Sequence, residues 1–197
     1  MALRARDEVR ERFTALALRG SPAEFIVYQL AQTLGAPVVL ENLAHEVVAA
    51  EVPPTMEEEL FARWEARSRQ AHRAPGDGWL IVPVEARGIS WGHLLALPGP
   101  PHAAGRASVL EQGAIALALG RLADGEVDEW SRIGQRRLVD GLLAGRYAGI
   151  GGAAARLEAA GLPIDGNRII GMVASGAQVA PGTADAAART LGGRALV

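Results

Sequence analysis

Apolar residues alternate with small or polar ones between residues 78 and 98. There Gly-Trp-Leu-Ile-Val-Pro-Val-Glu-Ala-Arg-Gly-Ile-Ser-Trp-Gly-His-Leu-Leu-Ala-Leu-Pro predicts two strands meeting at a tight turn. Leu80, Val82 and Val84 share one face of the first arm. Ile89, Trp91, Leu95 and Leu97 share one face of the second, and Ser90, Gly92, Leu94 and Ala96 the other. Arg87-Gly88 supplies the turn, because glycine reaches a positive φ without a Cβ clash. Pro83 cannot donate a ladder hydrogen bond, which places the first arm at a sheet edge or on a bulge. Strict alternation sets His93 on the face of Trp91. The Trp91 ring beside the bare backbone of Gly92 predicts a sheet with a core on one side and a helix or small ligand on the other.

The rest of the chain supplies helices and a second hairpin. Val9, Phe13 and Leu16 predict a helix over residues 4–19, whose other faces mix arginines with acidic residues as an ion-paired surface does. A second helix opens at Ser21-Pro22-Ala23-Glu24, which reads as a capping box, buries Ile26, Leu30 and Leu34, and stops at Gly35 and Pro37. Residues 37–43 and 46–52 predict the second hairpin. Thr55-Met56-Glu57-Glu58 predicts another capping box, and a single helix to about Gln70 with Met56, Leu60, Phe61 and Trp64 on one side. Pro75-Gly76-Asp77-Gly78 predicts a turn back to the first hairpin.

Helical periodicity then runs from about Gly105 to Gly145 and weakens near Asp124-Gly125. Its apolar face is Val109, Leu110, Ile115, Leu119 and Leu122, continued by Trp130, Ile133, Leu138, Leu142 and Leu143. Gly113, Gly120, Gly134 and Gly141 fall on a heptad-like period and are candidates for close helix approach across a dimer axis. Beyond residue 150 a short helix over 153–160, a strand over 168–174, a helix over 183–191 and a strand opening at 194–197 are expected. That segment reads as the start of a second domain, cut short.

Composition narrows the function classes. Of 197 residues, 49% are hydrophobic and only 5% aromatic, so the core is built mainly from Ala, Val, Leu and Ile. A net charge of -2 gives no basic footprint for nucleic acid or an anionic membrane. The absence of cysteine removes disulfides, thiol nucleophiles and thiolate metal sites. No apolar run spans a bilayer and the start lacks a signal-peptide core, so a cytoplasmic location without membrane contact is expected.

Few residues carry candidate chemistry. Gly149-Ile-Gly-Gly152 lacks the lysine and the preceding strand of a phosphate loop. His45, His72, His93 and His102 show no metal-ligand spacing, so no metal and no cofactor are expected. Glu57, Glu58 and Glu59 suit a helix start rather than a catalytic pair. No nucleophile, base and orienting group come together, and no enzyme is expected. Phe61, Trp64, Val82, Val84, Trp91 and His93 are the candidate lining of a ligand cavity between helix and sheet, with core packing as the competing reading of the aromatics.

The order helix, helix, hairpin, helix, hairpin, long helix is similar to a small GAF-like or PAS-like sensor domain, an α+β fold in which helices cover an antiparallel sheet. The chain resembles the central region of PucR-family (purine catabolism regulator) transcriptional activators, related to the CdaR sugar-diacid regulators. The resemblance rests on Leu34-Gly35-Ala36-Pro37-Val38-Val39-Leu40, on Val82-Pro83-Val84 with Arg87-Gly88 and Trp91-Gly92-His93-Leu94, and on Arg136-Arg137-Leu138-Val139-Asp140-Gly141-Leu142-Leu143-Ala144-Gly145. Ala155-Arg156 and Ala160-Gly161-Leu162 look like the opening of that family's degenerate GGDEF-like domain. The resemblance implies an N-terminal helix over 1–20, a GAF-like sensor over 21–122, a connector helix over 123–150 and the truncated start of a GGDEF-like domain over 151–197. It further implies a homodimer that responds to an unknown small-molecule effector. DNA would be reached only through a C-terminal helix-turn-helix absent from this chain. A GAF-like dimerisation scaffold that binds no ligand is the alternative.

Overall fold

The computed structural model describes residues 2–74, 78–124, 129–162, 164, 166–167, 169–171 and 181–190. Among these the chain runs α1 (Ala2–Leu18), α2 (Ala23–Leu34), β1 (Val38–Asn42), β2 (Val47–Glu51), α3 (Pro54–Phe61) and α4 (Trp64–Arg73). It continues with β3 (Leu80–Ala86), β4 (Ile89–Ala96), α5 (Arg106–Asp124), α6 (Glu129–Leu143), α7 (Gly149–Ala159) and α8 (Pro181–Thr190). The fold is α+β, with one four-stranded antiparallel sheet ordered β2-β1-β4-β3. No helix among the described residues is long and apolar enough to cross a membrane.

Both hairpins form as expected. Arg87 and Gly88 take φ values of 54° and 76°, the paired positive values of a two-residue hairpin turn. Pro83 lies on the edge strand β3, where its missing N–H is harmless.

The sheet is covered on both faces. Val38 and Leu40 of β1, Val84 of β3, and Leu94 and Ala96 of β4 pack with α1, α2 and α5 through Phe13, Ile26, Leu30 and Leu110. Val39 and Leu95 of the opposite face pack with Leu60, Phe61 and Trp64 of α3 and α4 and with Ala155 and Ala159 of α7. The inner strand β1 is therefore buried on both sides, which explains its near-continuous apolar run.

Several local expectations are corrected. The helix expected from residue 56 to 70 divides at Ala62 and Arg63, because Arg63 takes φ 52° and turns the chain. Met56 is exposed, whereas Leu60, Phe61 and Trp64 are buried. Neither expected capping box forms: α2 and α3 start behind Pro22 and Pro53, without a side-chain cap. A proline at the cap position has no side-chain oxygen to accept from the N–H groups of the first turn. Glu24, released from that role, contacts Arg137 of α6 instead. Ile115 and Leu119, expected on the buried face of α5, are exposed, and Gly113, Ala114, Leu117 and Ala118 take the buried face. The boundary expected at residue 150 is not an edge in packing, since α7 contributes Ala155 and Ala159 to the core beneath the sheet. Residues 169–171 lie outside any strand, with Ile169 and Ile170 exposed. The helix expected over 183–191 appears as α8. The turn at Pro75-Gly76-Asp77, the weakening at Gly125, the rest of the strand at 168–174, the strand at 194–197, and the Trp130 and Ile133 side chains lie outside what is described.

One titratable group bears on stability. Glu57 in the first turn of α3 has its carboxyl pushed above the ordinary value of 4.5 by burial, with Arg156 pulling it down and Glu51 adding to the rise. The folded chain thus holds this proton more tightly than the unfolded chain. Ionising Glu57 as pH climbs from 4.5 through the raised value therefore removes stability. Glu57→Gln is expected to melt at a higher temperature than the parent at pH 7. The difference should vanish once both Glu57 forms are protonated in acid. A variant that melts lower at pH 7 would show the carboxylate to be a favourable partner of Arg156.

Candidate functional site

The six residues expected to line one cavity are split between the two faces of the sheet. Val82 and Val84 face α5, and so does Trp91, which lies 5.9 Å from the Arg121 guanidinium. Phe61 and Trp64 sit on the other face, with His93 in the row of Glu41. The cause is a bulge. Val84 pairs with Gly92 but Glu85 pairs with Ser90, leaving Trp91 unopposed and turning it to the helix α5 side. The expectation that His93 shares the face of Trp91 is thereby corrected. The space between α3, α4 and the sheet is filled by Phe61 and Trp64, neither with exposed surface.

On that filled face a polar cluster surrounds Glu41, a fully buried carboxylate on the inner strand β1. Trp64 Nε1–H donates to Glu41 Oε2 at 3.0 Å, and Ser68 Oγ donates to Oε1 at 2.8 Å. Around the same Oε1, His45 Nδ1 and His72 Nε2 each lie at 3.0 Å, and His93 Nδ1 at 3.9 Å. His45 Nδ1 is also 2.8 Å from Ser68 Oγ.

The partners come from the β1–β2 turn, α4 and β4. His45 comes from the β1–β2 turn, where φ 63° directs it back over the strand end. A non-glycine residue there carries roughly 1–2 kcal/mol of strain. Ser68 and His72 lie one turn apart on the inner side of α4. His93 is the cross-strand partner of Glu41 on β4. Desolvation, with His72 and His45 adding to it, lowers the His93 pKa below its ordinary 6.5 against the pull of Glu41 and Glu85. Among the described residues, Glu41, His45 and His72 present donor atoms within 4.8 Å of one another.

A cavity of about 640 Å³ opens elsewhere, between α2, the edge strand β2, α6 and α7. Phe25, Tyr28, Val48 and Leu138 supply its apolar wall, and Glu24, Glu51, Arg137 and Arg156 its charge. Arg137 Nε lies 2.8 Å from Glu24 Oε1, but without the alignment of a directed hydrogen bond, so charge rather than geometry holds the pair. The Arg156 guanidinium stacks 4.6 Å from the Phe61 ring centre, and its Nη1 is buried without a hydrogen-bond partner.

The glycines expected along a dimer seam serve mostly internal contacts. A Cβ on Gly113 would lie 2.4 Å from Leu30 Cδ1, one on Gly134 2.9 Å from the Val48 carbonyl oxygen, and one on Gly141 2.3 Å from the Tyr147 hydroxyl. Only Gly120 among the four has open space beside it. The seam periodicity therefore reflects how α5 and α6 approach their own chain.

Sequence reasoning missed the Glu41 cluster because its members come from β1, a turn, α4 and β4, with no fixed spacing. The one available signal was a glutamate inside an apolar strand pattern with a histidine four residues on, in the turn. No family model matches the chain, and no curated protein or solved structure matches it either.

Proposed function

We propose that this chain is the effector-binding, non-catalytic sensory module of a PucR-type transcriptional regulator, a GAF-like domain whose effector occupies the cavity between β2 and α6. The observation supporting this reading is that the cavity joins the sheet edge at β2 to helix α6. Val48 and Ala49 form one wall, and Gly134, Arg137 and Leu138 the other. Its volume of about 640 Å³ suits a small molecule, for which sites of roughly 300–1,000 Å³ are usual.

The lining defines the chemistry. Arg156 offers an unmet donor, the buried Glu24 carboxylate offers acceptors, and Phe25 and Tyr28 offer ring surface. A compact molecule bearing both acceptors and donors, such as a ureide, an amino acid or a purine base, fits that set. Bound there, it would favour the placement of α6 that closes on it. It can shift the helix only by its differential affinity, about 1.4 kcal/mol for each factor of ten. DNA contact in this reading belongs to a separate helix-turn-helix, and a homodimer carries the shift between two copies.

The test is a thermal-shift and calorimetric panel of ureides, amino acids and purine bases on the chain and on Ala160→Phe, which fills the cavity from α7's end. At least one compound should raise the melting temperature of the parent and none that of the variant. In the intact regulator, Ala160→Phe should abolish the promoter response. If no compound binds and that response is unchanged, the ligand-free scaffold remains, a reading favoured by the solid packing around Trp64.

A further inference from the structure

We infer that Glu41, His45 and His72, closed by His93, form a binding site for a single divalent transition-metal ion of the zinc type. This goes beyond the cavity reading and does not depend on it, since the two sites share no lining residue.

Geometry comes first. Ligand atoms about 2.0–2.2 Å from one ion stand roughly 3.0–3.5 Å from each other. His45 Nδ1 and His72 Nε2 both stand 3.0 Å from Glu41 Oε1. His93 Nδ1 stands farther out, at 3.9 Å from that oxygen. The His72 and His93 rings meet edge to face with centres 4.3 Å apart, which sets His93 beside the group. Three imidazoles and one carboxylate make a nitrogen-rich set that suits zinc and its first-row neighbours and disfavours calcium or magnesium, which prefer all-oxygen shells.

Packing alone accounts poorly for the cluster. One carboxylate oxygen with two lone pairs is approached by Ser68, His45 and His72 together. His93 Nδ1 is buried with no hydrogen-bond partner at all. A buried nitrogen left unmet costs about 1–3 kcal/mol, and an ion bound to its lone pair removes that penalty.

The support around the site is also that of a metal centre. Trp64 Nε1–H holds the second carboxylate oxygen and Ser68 the first, so Glu41 is oriented from outside the donor set. The positive φ of His45 is a local strain that aims its ring at Glu41. Glu41 has no exposed surface, whereas the His45, His72 and His93 side chains retain 12%, 22% and 22%. The cluster is thus sealed on the carboxylate side and open on the histidine side, which gives an ion its way in.

The experiment uses the whole chain, stripped with chelator and dialysed, then titrated with Zn²⁺ in a calorimeter and with Co²⁺ by visible absorption. One ion per chain is expected. Co²⁺ should show the intense ligand-field bands of a four- or five-coordinate site with nitrogen ligands. His45→Asn and His72→Asn should each weaken Zn²⁺ binding by at least about 100-fold, the upper end of the loss seen even for outer-shell changes. Circular dichroism checks that both variants fold. If either does not, His93→Gln takes its place, with a loss of at least tenfold expected. Ala160→Phe should bind Zn²⁺ as the parent does, which separates this site from the effector cavity. The inference is overturned if the folded parent takes up no Zn²⁺ at concentrations well above its own. It is equally overturned if binding survives both histidine substitutions unchanged, or if Co²⁺ keeps its aqueous spectrum.

Discussion

Trp64→Ala is expected to lower the unfolding free energy by about 3–5 kcal/mol, the usual range for deleting a buried large aromatic side chain. For a chain of this length that is a fall in melting temperature on the order of 10 °C. Trp64 has no exposed surface and stands between two other rings, Phe61 at 5.6 Å and Trp79 at 5.5 Å between centres. Removing it opens a void under the sheet and also withdraws the donor that meets Glu41 Oε2. Trp64→Phe separates the two effects. It keeps most of the volume but loses the N–H that meets Glu41 Oε2, and a buried acceptor left unmet costs about 1–3 kcal/mol. Denaturant melts of both variants against the parent measure the difference. A Trp64→Ala loss below about 1 kcal/mol would mean that the helix pair α3–α4 does not pack on the sheet as described.

Gly92→Ala is expected to be comparably damaging although it adds one methyl group. A Cβ at this position would sit 2.0 Å from the Glu41 carbonyl oxygen and 3.0 Å from Asn42 Cα. Both are backbone atoms of the paired strand, so no side-chain rotation relieves the overlap. Strand β1 must move away from β4 over the pair Asn42–Gly92. Overpacking of this kind costs about 3 kcal/mol or more when the backbone itself has to give. The same movement pulls Glu41 from His93, its partner in the adjoining row. Gly92→Ala should therefore lose stability and Zn²⁺ affinity together, whereas Gly120→Ala, with open space beside it, should lose neither. Full stability in Gly92→Ala would show that β1 and β4 are not in the register described.

The legible part of this chain was the part governed by local rules. Alternation between residues 78 and 98, with Arg87-Gly88 at the turn and Pro83 on the edge, led directly to the β3–β4 hairpin. Spacing by three and four did the same for Ile26, Leu30 and Leu34 of α2, all buried, and for Gly35, which ends that helix in the left-handed conformation. The period failed at a bulge. One extra residue at Trp91 reverses the face of everything before it, and no side-chain pattern announces where a strand will absorb it. The supposed glycine seam failed for a related reason, because a small residue signals a close approach without naming what approaches. At Gly113 it is Leu30 of α2, and at Gly134 the Val48 carbonyl of β2.

The Glu41 site shows the same division. Glutamate in an apolar strand is a departure visible in the sequence, but its partners are not. His45 requires a turn at positive φ, His72 requires α4 to lie across the strand end, and His93 requires β4 to pair with β1 rather than with β2. By itself the sequence determined the periodic elements, the hairpin turns and the class of the fold, since each follows from backbone sterics and the burial of apolar side chains within a few residues. Only the tertiary structure decided that His72 and His93, distant in sequence, join His45 around one buried carboxylate and that a cavity opens beside β2. Both depend on strand order and helix docking, which are set by the packing of the whole core.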